Sequence, residues 1–398
     1  MTDTAAPSRP QVENTVFLVI FATSLCHMLN DVMQSLLAAL YPMIKEDYQL
    51  AFWQIGLLTF TFQVTASLLQ PAIGLYTDKR PMPNSLPFGM AASLCGLLLL
   101  AFSHSYYGLL AGAAMIGIGS AIFHPEASRV ARMASGGRFG LAQSWFQVGG
   151  NFGSAIGPLL AAFIIVPRGQ TSVAWFALVA FAGMAILSRV AAWQRRYSLA
   201  AKKRSASAAG PALPRKTVVT ALAVLAMLTF AKNIYMVSFS SYYTFYAIHR
   251  FGVSVQTSQI MLFVFLGATA LGTLLGGPIG DRIGARNVIW LSILGVLPFS
   301  LMLPYADLTW TPILTFIIGL VLSSAFPAIV VFAQELVPGR VGMIAGLFFG
   351  FAFGMAGIAA AALGIVADWK GIDFVYAICS YQPFLGLLVV FLPRVKHG

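Results

Sequence analysis

Long apolar runs separated by short polar breaks occupy almost the whole chain. The runs lie at roughly 15–43, 52–77, 85–103, 106–132, 139–166 and 172–193, then at 217–247, 255–280, 286–304, 310–335, 341–367 and 372–392. Each matches the roughly twenty residues a helix needs to cross a bilayer, and the longer ones allow tilt. Lipid offers no hydrogen bonds, so each segment must satisfy its own backbone, which favours helices over open sheet. The pattern predicts an all-α polytopic membrane protein with twelve transmembrane helices in two six-helix bundles. The one long stretch without a strong apolar pattern is 194–216, whose Ser, Ala, Gly and Pro give it linker composition. It carries Arg195, Arg196, Lys202, Lys203, Arg204, Arg215 and Lys216, and no acid. The predicted organisation is a terminal segment 1–14, a bundle 15–193, a basic linker 194–216, a second bundle 217–392 and a tail 393–398.

Composition narrows the class. The chain is 59% hydrophobic and 9% charged, with a mean hydropathy of +0.82; a soluble domain runs nearer a quarter charged. The net charge of +12 calls for no acidic partner if the cations sit on one membrane face. With the N-terminus cytoplasmic, nineteen of the 24 Lys and Arg fall inside. Only Lys45, Arg168, Arg250 and Lys370 fall outside, and Lys232 lies within a span. Both termini are therefore expected in the cytoplasm. A nucleic-acid-binding role for the basic stretch is set aside, because nothing else in the chain could be a soluble partner domain. The first apolar run is longer than a signal-peptide core and is expected to remain as a span. Cys26, Cys95 and Cys379 all lie in apolar runs and read as packing residues, neither a metal set nor a disulfide framework.

The halves repeat one another. Gly74-Leu-Tyr-Thr-Asp78-Lys79 follows the second run and Gly277-Pro-Ile-Gly-Asp281-Arg282 the eighth, 203 residues apart. Asn30 and Asn233 share that offset, and Gly137-Arg138-Phe-Gly140 and Gly339-Arg340-Val-Gly342 are offset by 202. Three matches at nearly one offset, each at the corresponding helix, argue for a duplicated six-helix unit. The segment 277–287, through Arg286, resembles the loop motif of the major facilitator superfamily; the first copy keeps Asp78 and Lys79 but has Pro81 and Pro83 at later motif positions. Glycines let two helices approach closely, and an Asp near one helix end can accept hydrogen bonds from the N-terminus of its neighbour. The resemblance implies that Asp78, Lys79, Asp281, Arg282, Arg286 and Gly277 latch the two domains in the outward-facing state.

Gly153-Ser-Ala-Ile-Gly157-Pro158, followed by Ala161 and Ala162, resembles a helix-packing motif of drug–proton antiporters, with alanines at its last two glycine positions. The arginine many such exporters carry in helix 4 is missing: the region reads Gly112-Ala-Ala-Met-Ile-Gly117-Ile-Gly119. Proton coupling cannot be carried over from that position. The segments His27-Met-Leu-Asn30-Asp31, Phe123-His124-Pro125-Glu126-Ala127 and Gln143-Ser-Trp-Phe-Gln147-Val-Gly-Gly-Asn151 are similar to the fosmidomycin-resistance branch of the superfamily. That likeness implies a bacterial inner-membrane exporter of a phosphonate antibiotic driven by the proton gradient.

Polar groups at membrane depth are candidates for function. Asp31 has His27 one turn before it on the same face, and Lys232 lies in the repeat-mate helix beside Asn233. Glu126 has Arg129 within i,i+3 reach and His124 nearby; Gln143, Gln147 and Asn151 form a stripe, as do Gln63 and Gln70. We read Asp31, with His27 tuning it and Glu126 as second candidate, as the proton carrier, because desolvation disfavours a charged carboxylate. Lys232, Asn30, Asn233, His124, Arg129, Gln63, Gln143, Gln147 and Asn151 are the expected substrate cavity, in which Lys232 attracts an anionic headgroup or the ionised Asp31. The competing reading is a static buried network, Glu126 or Asp31 with Arg129, kept for packing specificity. The expected function is a proton-coupled exporter of small toxic compounds, acting as a monomer with protons and lipid as its other partners. The runner-up is a symporter for an organic anion or sugar. Duplicated halves argue against a channel, and no catalytic triad, metal cluster or phosphate loop argues for an enzyme. No metal or cofactor is expected beyond the proton gradient.

Overall fold

The computed structural model describes residues 15–50, 52–204, 214–253 and 255–393. The expected N-terminal segment 1–14, residues 205–213 of the linker and 394–398 of the tail lie outside the described residues. Twelve helical rods run in chain order. The first half comprises α1 (Phe17–Asp47), α2 (Phe52–Lys79), α3 (Ser85–Phe102), α4 (Tyr106–Met133), α5 (Phe139–Leu160) and α6 (Ala177–Arg204). The second comprises α7 (Arg215–Phe251), α8 (Val255–Ile283), α9 (Ala285–Leu294, continued by Leu297–Met302), α10 (Trp310–Ser323 and Ala325–Leu336), α11 (Val341–Lys370) and α12 (Ile372–Cys379, continued by the 3-10 segment Gln382–Phe391). Among the described residues, ten rods are long and apolar enough to cross a membrane by length and composition. The other two, α2 and α5, carry the glutamine stripes and the close-packing glycines, which lower their hydropathy.

Packing repeats between halves. In the first, α1 lies on α5, α2 on α4 and α3 on α6; in the second, α7 lies on α11, α8 on α10 and α9 on α12. Between halves, α2 packs on α11 and α5 on α8, again a symmetric pair. Close approach of α1 and α5 depends on glycine: a Cβ at Gly149, Gly153 or Gly157 would overlap Ser24 O, Met28 O or Ser35 Oγ. The side chain of Pro158 lies outside the described set. Its helix passes into a π-turn, Ala161–Ile165, three residues on, as expected where a proline removes a ladder donor.

One boundary differs from the sequence reading. Helix α6 continues past Trp193 to Arg204, and α7 begins at Arg215, so much of 194–216 is helical. Lys, Arg and Ala are good helix formers in water, and the loss of apolar character marked the membrane surface, not the helix end. Helices α9 and α10 are each interrupted just before a proline, Pro298 and Pro327.

Candidate functional site

Three ionisable side chains from two helices meet inside the first half. His27 and Asp31 lie one turn apart on α1, and α4 brings His124 against both. All three are buried. His27 Nε2 stands 3.5 Å from Asp31 Oδ2, His124 Nε2 3.8 Å from Asp31 Oδ1, and the two Nε2 atoms are 3.2 Å apart. The other ring nitrogens are committed. His27 Nδ1 is 2.7 Å from the carbonyl of Phe146 and His124 Nδ1 is 2.9 Å from that of Ser120. A carbonyl only accepts, so both Nδ1 atoms carry hydrogen and donate. The two neutral rings then face each other lone pair to lone pair.

Asp31 is oriented from its own helix: Oδ1 accepts from Asn30 Nδ2 at 3.1 Å and from Gln34 Nε2 at 3.0 Å. Ser154 of α5 reaches Oδ2 at 3.4 Å. The cluster needs α5 without a side chain at position 150, where a Cβ would come within 2.5 Å of His27 Nε2 and 2.9 Å of Asp31 Oδ2. Asp31 opens onto a cavity of about 220 Å³, together with Gln34, Gln63, Phe62, Ser154 and Phe353. Phe353 is a residue of α11, so the cavity lies between the halves.

The remaining candidates separate into groups. Glu126 is fully buried and pairs with Arg129 and with Ser85 Oγ at 3.3 Å. Arg129 also donates to the Thr77 carbonyl at 2.6 Å and lies 3.5 Å from Asp78. Among the described residues Arg129 makes no ion pair with Asp31, the other pairing the sequence left open. Lys232 is half-buried, with Nζ 5.2 Å from the centre of the Phe326 ring. It has no carboxylate partner among the described residues, so the structure does not join it to Asp31. Phe326 meets Phe349 edge to face at 5.3 Å, and Phe349 meets His124 at 5.3 Å. The glutamine stripe of α5 divides: Gln143 accepts from Ser128 of α4 at 2.9 Å, while Asn151 reaches Thr273 of α8 at 3.4 Å. The side-chain oxygen of Gln147 and the side-chain nitrogen of Asn233 are buried with no hydrogen-bond partner.

In the last turns of α2 and α8, each aspartate holds the start of a helix from the other half. Asp78 accepts from the backbone N–H of Gly342 at 3.0 Å and of Met343 at 2.8 Å, at the start of α11. Asp281 accepts from Gly140 at 2.8 Å and Leu141 at 2.9 Å, at the start of α5. A Cβ at Gly74 or Gly277 would overlap the carbonyl of Gly342 or Gly140. Gly137 and Gly339, which precede the held helices, share a left-handed backbone (φ 85° and 81°). Lys79 and Arg282 are exposed, and Arg286 has its Nε buried without a partner. Gln334 of α10, not foreseen from sequence, ties the same end together by accepting from Arg132 at 3.2 Å and reaching Ser128 at 3.4 Å. The meeting of His124 with His27 and Asp31 was also missed, since contacts between helices leave no local spacing to read.

Residues 23–361 and 228–398 match the family model of the Major Facilitator Superfamily. The chain is 56% identical over 384 residues to the fosmidomycin resistance protein of Escherichia coli (strain K12), covering 96% of this chain and 94% of that protein. It is 45% identical over 387 residues to an uncharacterized MFS-type transporter, YfnC, of Bacillus subtilis (strain 168), covering 95% and 93%. The crystal structure of the human organic anion transporter MFSD10 (TETRAN) has the same fold, with a TM-score of 0.76 at 16% identity over 97% of this chain and all of that one.

Proposed function

Because the chain belongs to the major facilitator superfamily, in the branch of the fosmidomycin resistance protein, we propose that it is a drug–proton antiporter that exports small toxic compounds, fosmidomycin-like phosphonates among them, by alternating access. The observation that carries the proton coupling is the pair of facing Nε2 atoms, 3.2 Å apart beside Asp31. Without a proton between them, two lone pairs oppose each other in a buried site. With one, the imidazoles share a hydrogen bond and the adjacent carboxylate balances the charge. Asp31, the member that opens onto the cavity, is the principal carrier, exchanging the proton with whichever side the cavity faces. Glu126, already paired with Arg129, is the second candidate.

Lys232 supplies the charge for an anionic headgroup. Its ammonium lies over the Phe326 ring and has no carboxylate partner among the described residues, so a substrate anion displaces no ion pair formed by them. Asp78 and Asp281 hold the cytoplasmic ends closed in the outward-facing state. The protein acts as a monomer in a bacterial inner membrane with both termini cytoplasmic, powered by the proton gradient and without a cofactor. The test is drug susceptibility with and without the gene, repeated after the proton gradient is collapsed, and then reconstitution. Asp31→Asn abolishes concentration driven by an imposed pH step while leaving counterflow exchange. A drug gradient built by Asp31→Asn would move the proton to Glu126, and proton-driven accumulation in the same direction as the proton would make the protein a symporter.

A further inference from the structure

We propose that His27, Asp31 and His124 form a binding site for a divalent transition-metal ion of the Zn²⁺ class, which occupies the position of the shared proton. The donor set is two imidazoles and one carboxylate. The two Nε2 atoms are 3.2 Å apart, His27 Nε2 is 3.5 Å from Asp31 Oδ2 and His124 Nε2 3.8 Å from Asp31 Oδ1. With one ligand atom from each residue, all three lie within 4.8 Å of one another. A tetrahedral zinc ion with bonds of about 2.0–2.1 Å places its ligand atoms roughly 3.3–3.4 Å apart, so the three groups already stand near the required spacing. Both histidines present Nε2 inward and donate Nδ1–H to a backbone carbonyl, at 2.7 and 2.9 Å. That outer hydrogen bond fixes the tautomer and ring orientation a metal requires. Asp31 is held in turn by Asn30 and Gln34. The glycine at position 150 keeps a side chain from crowding His27 Nε2 and Asp31 Oδ2, which an added Cβ would approach to 2.5 and 2.9 Å.

Entry is through the carboxylate, which lines the cavity between the halves. Three protein ligands leave a fourth position on that side for water or a substrate oxygen, as in an open site and unlike a closed structural one. Imidazole nitrogen selects Zn²⁺, Co²⁺ or Ni²⁺ over Mg²⁺ and Ca²⁺, which prefer all-oxygen sets. One consequence is inhibition: an ion seated here excludes the proton and stops coupled transport.

The site goes beyond the proposed transport reaction, and its test needs no transport, so failure of one leaves the other standing. Full-length untagged protein in detergent is stripped with chelator and titrated with Co²⁺. The expected result is one equivalent of Co²⁺ with visible absorption several-fold stronger than that of the hydrated ion, bleached by one equivalent of Zn²⁺. His124→Gln and Asp31→Asn each weaken binding at least tenfold, while the combined His104→Gln, His249→Gln and His397→Gln variant keeps the band. X-ray absorption on the Zn²⁺-loaded wild type, which needs no variant, shows two imidazoles in a four- or five-coordinate shell. An absent band up to millimolar Co²⁺, a band that survives both site variants, or a six-coordinate all-oxygen shell overturns the proposal.

Discussion

Asp281→Asn is the most direct test of the pairing between the halves. In the structure its two oxygens accept from consecutive backbone N–H groups in the first turn of α5. The amide keeps one acceptor and points an NH₂ at the other donor, so one charge-assisted bond is lost, worth about 1.5–3 kcal/mol. The favourable charge at the helix N-terminus is lost too, about 0.3–1 kcal/mol. Because Asp281 is exposed, solvent screens both contributions; together they weaken this contact between the halves by about 1–2 kcal/mol, which moves the equilibrium between states roughly 5- to 30-fold. Spin labels at the exposed positions Met82 and Ile283, one in each half, read that shift as a distance distribution. Wild type should give the short distance, and Asp281→Asn should add a longer one, with slower turnover and an unchanged elution profile. An unchanged distribution with wild-type turnover would falsify the latch and leave these loops as turns.

Three further outcomes follow from the geometry. Lys232→Ala should weaken anionic substrates by about 10- to 150-fold, the value of a charge-assisted hydrogen bond, and neutral ones little, read by equilibrium binding of matched pairs. Gly153→Val, whose side chain would overlap Met28 O, should force α1 from α5 and cost about 1–3 kcal/mol, seen as a lower melting temperature in detergent. Phe349→Ala should leave drug binding intact while lowering the number of drug molecules moved per proton, since it removes the ring between His124 and Phe326; an unchanged ratio in proteoliposomes would refute that role.

What could be read from sequence was whatever physics makes local. Lipid forces each apolar run into a helix, so the rods were legible from run length alone. The paired contacts were legible because Asp78 and Asp281 recur with their glycines 203 residues apart, and Gly140 and Gly342 recur 202 apart. The spacing of His27 and Asp31 announced one face of one helix. His124 gave no such sign: it reaches that face from another helix, 97 residues on, and its neighbours in sequence, Pro125 and Glu126, pointed towards a different cluster. Likewise Arg129 showed its i,i+3 partner Glu126 but not Asp78, which comes from α2. The end of α6 was placed too early at Trp193 because polarity and helix propensity are independent properties, and α6 loses apolar character while keeping the helix to Arg204.

The two phenylalanines between Lys232 and His124 act as an insulator. Aromatic rings conduct neither protons nor ions, so under the proposed function an anion at Lys232 and a proton beside Asp31 would be separated by Phe326 and Phe349. On that reading, a substrate at Lys232 would not draw the proton's charge away directly. Phe326 and Phe349 meet edge to face at 83°, so a shift of one ring would press on the other. If the chain works as the proposed proton-coupled exporter, this arrangement would keep idle leak low, since cargo and proton would exchange only when the helices that carry them move.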